Sequence, residues 1–132
     1  MSSPVTSCVE HYAIAVADPQ ASADWYCRVL DFKVAFSNQK NPPTLLIDLP
    51  SGARLEIMPK NAGVEQRPRH NLDPGFSHIA FGVKRLDAAV ATLRERGVEI
   101  GGDPFPAVGG GFILNFRDLD GNSLQLVERP AK

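Results

Sequence analysis

The sequence predicts an α+β fold built from two tandem βαβββ modules, whose eight strands form a curved, open cup. Strand-like and helix-like segments occur twice in the same order, and the second series repeats the first at a nearly constant offset. Glu10–Val16 aligns with Ser77–Val83 at an offset of 67 residues, and Ser51–Met58 aligns with Asp120–Val127 at 69. Because one copy is too small to close a hydrophobic core alone, the two copies are expected to pair.

The first module is predicted over about residues 7–59. Its first strand, Glu10–Asp18, alternates in the manner of a half-buried strand. Asp18 followed by Pro19 predicts a capped helix start, and the helix is expected to end near Leu30. Three strands follow at FKVAFS, TLLIDL and ARLEIM, separated by the turn compositions NQKNPP and PSG.

The second module is predicted over about residues 76–129, after a polar linker of about residues 60–75 that is rich in turn formers. It begins with the alternating strand Ser77–Val83 and continues with a helix over LDAAVATLRERG, with Gly97 at its end. The remaining strands are expected at VEI, GFILNF and SLQLVE. We expect a single domain over residues 1–132, because a chain of this length is too short for two independent domains.

Composition argues against several classes of partner. Charged residues make up 22% of the chain and the formal net charge is -1, so no basic surface for nucleic acid or an anionic membrane is expected. No apolar run approaches the ~20 residues of a transmembrane helix, and no signal region opens the chain, which predicts a cytoplasmic protein. Cys8 and Cys27 lack metal-type spacing and are expected to be reduced thiols. A small molecule or another protein is the expected partner.

Two pairs of polar residues occupy matching positions in the repeat. His11 aligns with His78, and Glu56 aligns with Gln125. Each lies on a strand face with small or mixed side chains, whereas the opposite face carries large apolar residues suited to packing under the helices. Two imidazoles, a carboxylate and an amide oxygen are ligands that a divalent transition metal accepts. We therefore predict a metal site from these four residues; the alternative is two buried, hydrogen-bonded pairs left by a duplicated ancestor.

Three arginines are weaker candidates for substrate binding. Arg54 shares the strand face of Glu56, where it could hold that carboxylate or one from the substrate. Arg67 and Arg69 lie in the linker beside His70. A solvated loop cluster is the simpler interpretation there, and binding of an anionic substrate is the functional one.

The sequence resembles the vicinal oxygen chelate superfamily, which includes glyoxalase I, bleomycin and fosfomycin resistance proteins, methylmalonyl-CoA epimerase and extradiol dioxygenases. The resemblance is carried by VEHYAIAVADPQASADWYCRVLDFKV, GFSHIAFGVKRLDAAVATLRERGV and FRDLDGNSLQLVE, which span nearly the whole chain. Metal-dependent members take ligands from the first and last strand of each half, which here are His11, Glu56, His78 and Gln125. The resemblance implies a divalent metal ion (Ni, Zn, Co, Mn or Fe) and a homodimer.

The resemblance also implies an activity. It is that of a glyoxalase I-like lyase, the lactoylglutathione lyase type, or a related isomerase, which moves a proton next to a carbonyl through a metal-bound enediolate. A thiol such as glutathione could serve as co-substrate. Since Gln125 stands where glyoxalases carry a second Glu, Glu56 is the expected catalytic base. The alternative is a metal-free protein that binds or sequesters a small molecule, as bleomycin resistance proteins do. An Fe(II) dioxygenase is less expected, because Gln125 replaces its usual carboxylate on the final strand.

Overall fold

The computed structural model describes residues 4–65, 67 and 70–131. The chain divides into two compact units, Met1–Gln66 and Arg67–Lys132, with the boundary inside the predicted linker. Each unit contains one helix and one four-stranded sheet in the order βαβββ. The predicted α+β fold of two βαβββ modules is therefore confirmed. That the two modules act as one domain stays a prediction.

The first unit contains a mixed sheet covered by one helix. Its strands occur in the sheet order β1-β4-β3-β2, in which β1 and β4 are parallel and the other pairs are antiparallel. Its elements are β1 (His11–Val16), α1 (Pro19–Leu30), β2 (Lys33–Ser37), β3 (Leu45–Asp48) and β4 (Arg54–Pro59).

The predicted ends of α1 are also found. The Asp18 carboxylate accepts a hydrogen bond of 3.0 Å from the backbone N–H of Ala21, and Pro19 occupies the first helical position. Asp31 ends the helix in the left-handed conformation, with φ 61° and ψ 25°. Aspartate tolerates this conformation better than most residues, so a glycine is not required there.

The second unit repeats the topology of the first. Its sheet order is β5-β8-β7-β6, and β5 and β8 are parallel in the same way as β1 and β4. Within the described residues, no helix is long and apolar enough to cross a membrane. The elements of the second unit are β5 (Ile79–Gly82), α2 (Leu86–Glu95), β6 (Phe105–Pro106), β7 (Phe112–Arg117) and β8 (Ser123–Glu128).

One predicted strand is wrong. The segment 98–100, with sequence VEI, forms no strand, and β6 at Phe105–Pro106 pairs with β7 instead. Ile100 is buried, which accounts for the apolar alternation. Its carbonyl, however, accepts hydrogen bonds of 2.8 and 3.2 Å from the guanidinium of Arg94 in the last turn of α2. That contact holds the chain against the end of α2. It also occupies the Ile100 carbonyl, which would otherwise accept a hydrogen bond from a neighbouring strand.

Each unit buries the sheet face that lies under its own helix. The side chains of that layer are at most 4% exposed. Complete burial of a large apolar side chain contributes about 1.5–3 kcal/mol, so these layers are the main source of stability in each unit. The layer in the first unit includes Tyr26, Ile47, Leu55 and Ile57, and that in the second includes Leu93, Leu114, Leu124 and Leu126.

Candidate metal centre

His11 and Glu56, the first pair, lie on one face of the parallel strands β1 and β4. His11 is opposite Arg54 in the ladder, and Ala13 is opposite Glu56. Because side chains two residues apart point to the same face, His11 and Glu56 are diagonal neighbours. Ideal strand spacing puts their Cα atoms about 8 Å apart. An imidazole and a carboxylate at this separation can reach one ion.

His78 and Gln125, the second pair, have the same relationship in the second unit. Ala80 is opposite Gln125 in the parallel ladder of β5 and β8. His78 directly precedes β5, so continuing the register puts it opposite Ser123. Gln125 is therefore diagonal to His78, as Glu56 is to His11. The repeat seen in the sequence is reproduced in the strand register of each unit.

The four side chains differ in exposure. His11 and His78 are exposed and Glu56 is partly buried, whereas Gln125 is only 9% exposed. The amide oxygen of Gln125 is a neutral ligand that a divalent transition metal accepts, so Gln125 fits a ligand position.

Each histidine ring contacts the side chain of the residue before it. Nδ1 of His11 lies 2.6 Å from Oε1 of Glu10, and Nδ1 of His78 lies 2.7 Å from Oγ of Ser77. An ionised carboxylate can only accept, so the Nδ1–H of His11 is the donor, and in the neutral ring Nε2 then carries the lone pair. A neutral imidazole with a free Nε2 is a common metal ligand. The donor set and its geometry within each unit therefore fit a divalent metal.

Arg54 has a different partner from those predicted. Its Nε lies 3.0 Å from Oδ1 of Asp48, the residue directly opposite it on β3. Both side chains are about half-exposed, at 42% and 55%. Of the linker candidates, Arg67 is exposed, and Arg69 lies outside the described residues. A substrate role for these arginines stays a prediction.

The side chains beside the two predicted oxygen ligands differ between the two sheets. Leu46 is opposite Glu56, and Phe36 is opposite Leu46, so an apolar row extends from the carboxylate to the sheet edge. Phe36 is 55% exposed. In the second unit, Asn115 is opposite Gln125. The carboxylate thus has apolar neighbours in the row, and the amide has a second amide beside it.

The predicted ligands occur as two pairs, one in each unit. Within the described residues, no group of three or more His, Cys, Asp or Glu side chains is close enough to hold a metal ion. Binding of one metal by all four residues stays a prediction.

The family model of the Glyoxalase/Bleomycin resistance protein/Dioxygenase superfamily matches residues 9–126. The chain belongs to this superfamily. The chain is similar to a "probable lactoylglutathione lyase" from Synechocystis sp. The two are 27% identical over 131 residues, which cover 92% of this chain and 95% of the relative.

Two solved structures show the superfamily fold in proteins of different kinds. The antibiotic-binding protein TnmS3 from a Streptomyces species has a TM-score of 0.74 and 21% identity, covering 97% of this chain and 100% of TnmS3. The fosfomycin resistance protein FosX from Listeria monocytogenes, solved with Mn(II) and sulfate, has a TM-score of 0.70 and 19% identity, covering 96% and 93%. At these identities the likeness shows the fold alone.

Two further polar residues at the site, Glu10 and Ser77, escaped the sequence analysis. The signal was present, because the offset that aligns His11 with His78 also aligns Glu10 with Ser77. Both are polar residues that directly precede a candidate ligand. Alternation placed them on the opposite strand face, and at the ends of the strands that rule is weak.

Proposed function

We propose that the chain is a metal-dependent lyase or isomerase of glyoxalase type, which moves a proton next to a substrate carbonyl. The observation that carries the proposal is the repeated register, in which a histidine is diagonal to an oxygen ligand in both units. Membership of the superfamily and similarity to a probable lactoylglutathione lyase support the same class of reaction.

The proposed ligands of the divalent metal are His11, Glu56, His78 and Gln125. Two imidazole nitrogens, a carboxylate and an amide oxygen suit an ion of intermediate hardness, such as Ni, Zn, Co, Mn or Fe. One carboxylate and a dication leave a formal charge of +1, which favours an anionic ligand. When bound, the metal would supply Lewis-acid stabilisation of negative charge developing on the substrate oxygen.

Glu56 is the proposed catalytic base. Its carboxylate would take the proton from the carbon next to the carbonyl and return it to the product. Leu46 and Ala13 flank it on the neighbouring strands and leave it the one ionisable group in that row. Gln125 holds the equivalent position in the second unit and carries no exchangeable acid group. The proposed reaction therefore has a base on one face of the substrate only.

The remaining features of the proposal concern partners. We propose a single-domain protein that acts on a small molecule in the cytoplasm as a homodimer, with a thiol such as glutathione as co-substrate. The name of the 27% identical relative supports glutathione, and the resemblance to dimeric members supports the dimer. Arg54, Arg67 and Arg69 are the proposed contacts for an anionic part of the substrate.

A second candidate is a metal-free protein that binds or sequesters a small molecule. The exposed ring of Phe36 beside Leu46 favours it, because this row offers an apolar contact surface next to small side chains. The antibiotic-binding protein TnmS3 has the same fold. An Fe(II) dioxygenase has less support, since its metal carboxylate would have to come from Glu56 alone.

Metal content per chain tests the proposal directly. The protein is purified without a metal-affinity column and compared by mass spectrometry with His11→Ala, Glu56→Ala and the control Glu99→Ala, which removes an exposed carboxylate. Near-stoichiometric metal in the wild type and the control, lost in the other two, is expected. Turnover of 2-oxoaldehyde hemithioacetals or epimerisable thioesters should then be chelator-sensitive. No metal after incubation with the five ions would overturn the enzyme proposal, and metal-dependent oxygen consumption would indicate a dioxygenase.

A further inference from the structure

The residue that contacts the histidine is acidic in the first unit and neutral in the second, and the same is true of the proposed oxygen ligand. In the first unit the Nδ1 partner is the carboxylate of Glu10, at 2.6 Å, and the oxygen ligand is the carboxylate of Glu56. In the second unit the Nδ1 partner is the hydroxyl of Ser77, at 2.7 Å, and the oxygen ligand is an amide. Both of these residues are thus carboxylates in the first unit, and neither is a carboxylate in the second.

We propose that Glu10 and Ser77 are positioning residues of the metal centre, and that Glu10 alone fixes its histidine in the metal-binding tautomer before metal arrives. This inference rests on the proposed metal-dependent function. A carboxylate accepts only, so Glu10 selects the Nδ1–H form of His11 and leaves Nε2 free. A hydroxyl donates or accepts equally well, so Ser77 is compatible with both tautomers of His78.

Folding stability does not account for the contact between Glu10 and His11. The two side chains are 71% and 45% exposed, and an exposed polar contact between chain neighbours contributes little to folding. The contact nevertheless recurs at the same ladder position in both units, where the chemical type of the preceding residue has changed. In both units it involves Nδ1, and within the described residues Nε2 of neither ring has a hydrogen-bond partner.

The consequence is an unequal contribution of the two units to metal binding. His11 is already oriented by its contact with Glu10, so the first pair should bind the metal more strongly. Loss of such an outer hydrogen bond typically weakens metal binding by about 10–100-fold. We expect a loss in that range for Glu10→Ala and a loss of less than about tenfold for Ser77→Ala.

The tautomers can be measured without metal. Imidazole ¹⁵N chemical shifts of the full-length, metal-free chain are recorded at about pH 8.5, roughly two units above the ordinary pKa of imidazole. His11 should show the Nδ1–H form and His78 a mixture. Glu10→Ala should convert His11 to a mixture, and Glu10→Gln, which keeps an acceptor oxygen without the charge, should restore the Nδ1–H form in part. An unchanged His11 tautomer in Glu10→Ala would overturn the inference.

Metal affinity supplies the second readout. Zn(II) alone is titrated against a competing chelator for the wild type, Glu10→Ala, Ser77→Ala and the control Asp24→Asn, which removes an exposed carboxylate on the helix side of the same sheet. A larger loss for Glu10→Ala than for the other two supports the inference. An equal loss in Asp24→Asn would overturn it, because the effect would then be one of net charge. Failure of the wild type to bind Zn(II) or any of the other four proposed ions would overturn the proposed function, while the tautomer measurement would still decide the role of Glu10.

Discussion

The carboxylate of Glu128 closes the start of helix α2, since its Oε1 accepts a hydrogen bond of 2.7 Å from the backbone N–H of Leu86. The residue in the N-cap position, Arg85, provides no side-chain cap. In the first unit the corresponding role belongs to Asp18, which precedes its own helix. The second unit therefore caps its helix from strand β8, 42 residues away, and ties helix and sheet together.

Glu128→Ala is expected to lower the free energy of unfolding by about 1–2 kcal/mol. The N–H of Leu86 loses its acceptor at a partly buried position, which has the cost of losing a helix cap. Denaturant unfolding followed by circular dichroism measures the change. The control Glu99→Ala removes an exposed carboxylate from the same unit and should stay within about 0.5 kcal/mol of the wild type. Equal losses in the two variants would contradict the capping role.

Gly111→Ala is expected to be far more disruptive than Gly109→Ala. Both glycines have positive φ, 93° and 88°, so alanine at either position is strained by about 1–2 kcal/mol. At Gly111 a Cβ would also lie 2.0 Å from the carbonyl oxygen of Glu128, whereas at Gly109 its nearest neighbour is the flexible end of Arg129 at 3.5 Å. The clash with backbone should add at least about 1–3 kcal/mol. Thermal unfolding of both variants measures the difference, and similar midpoints would show that the close approach is unimportant.

Gln125→Glu is expected to increase glyoxalase-type activity, because it adds a second carboxylate at the position equivalent to Glu56. A positioned general base contributes about 10²–10⁴-fold, so a gain of about tenfold or more in kcat/KM is expected with hemithioacetal substrates. The control Asn115→Asp introduces a carboxylate directly opposite, on β7, but outside the proposed ligand set. It should give no gain. Unchanged activity of Gln125→Glu with its metal retained would count against the single-base mechanism.

The thiol of Cys27 is expected to react only at high pH. Burial raises its pKa, and the nearby carboxylate of Asp24 raises it further. Since the thiolate is the reactive form, a raised pKa moves the onset of alkylation to higher pH. Iodoacetamide labelling of the Cys8→Ser variant, followed by mass spectrometry across pH, measures the profile. Asp24→Asn should move it to lower pH, and the exposed control Glu65→Gln should leave it in place. A profile like that of an unstructured cysteine peptide would disprove the effect of burial.

Much of the fold could be predicted because local patterns and tertiary contacts agree. The alternation around Ile14 and the cap at Asp18 depend on residues close in sequence, and both are found in the structure. The matching of His11 with His78 could also be predicted, because a duplicated topology carries its register with it. Most strands, the cap of α1 and the internal repeat could thus be predicted from the sequence.

The remaining features depend on contacts that a pattern does not encode. Ile100 has the spacing of a strand residue, but the guanidinium of Arg94 takes its carbonyl. Arg54 shares a face with Glu56, but its nearest acceptor is Asp48, one strand away. Glu10 faces away from His11 by strict alternation, yet its flexible side chain reaches the ring. In each case the prediction missed a contact made by a long side chain, and the direction of such a side chain is set by tertiary structure.

The parallel pairing of β1 with β4, and of β5 with β8, makes the register of each pair independent of the length of the chain that connects the two strands. Glu56 follows His11 by 45 residues, whereas Gln125 follows His78 by 47, yet the ladder relates both pairs identically. The two extra residues have been absorbed by loops. A shift of a single residue within the ladder, by contrast, would turn the side chain of Glu56 or Gln125 toward the helix. Evolution can therefore lengthen the connections and alter what they recognise while the geometry of the histidine and its oxygen partner is inherited unchanged.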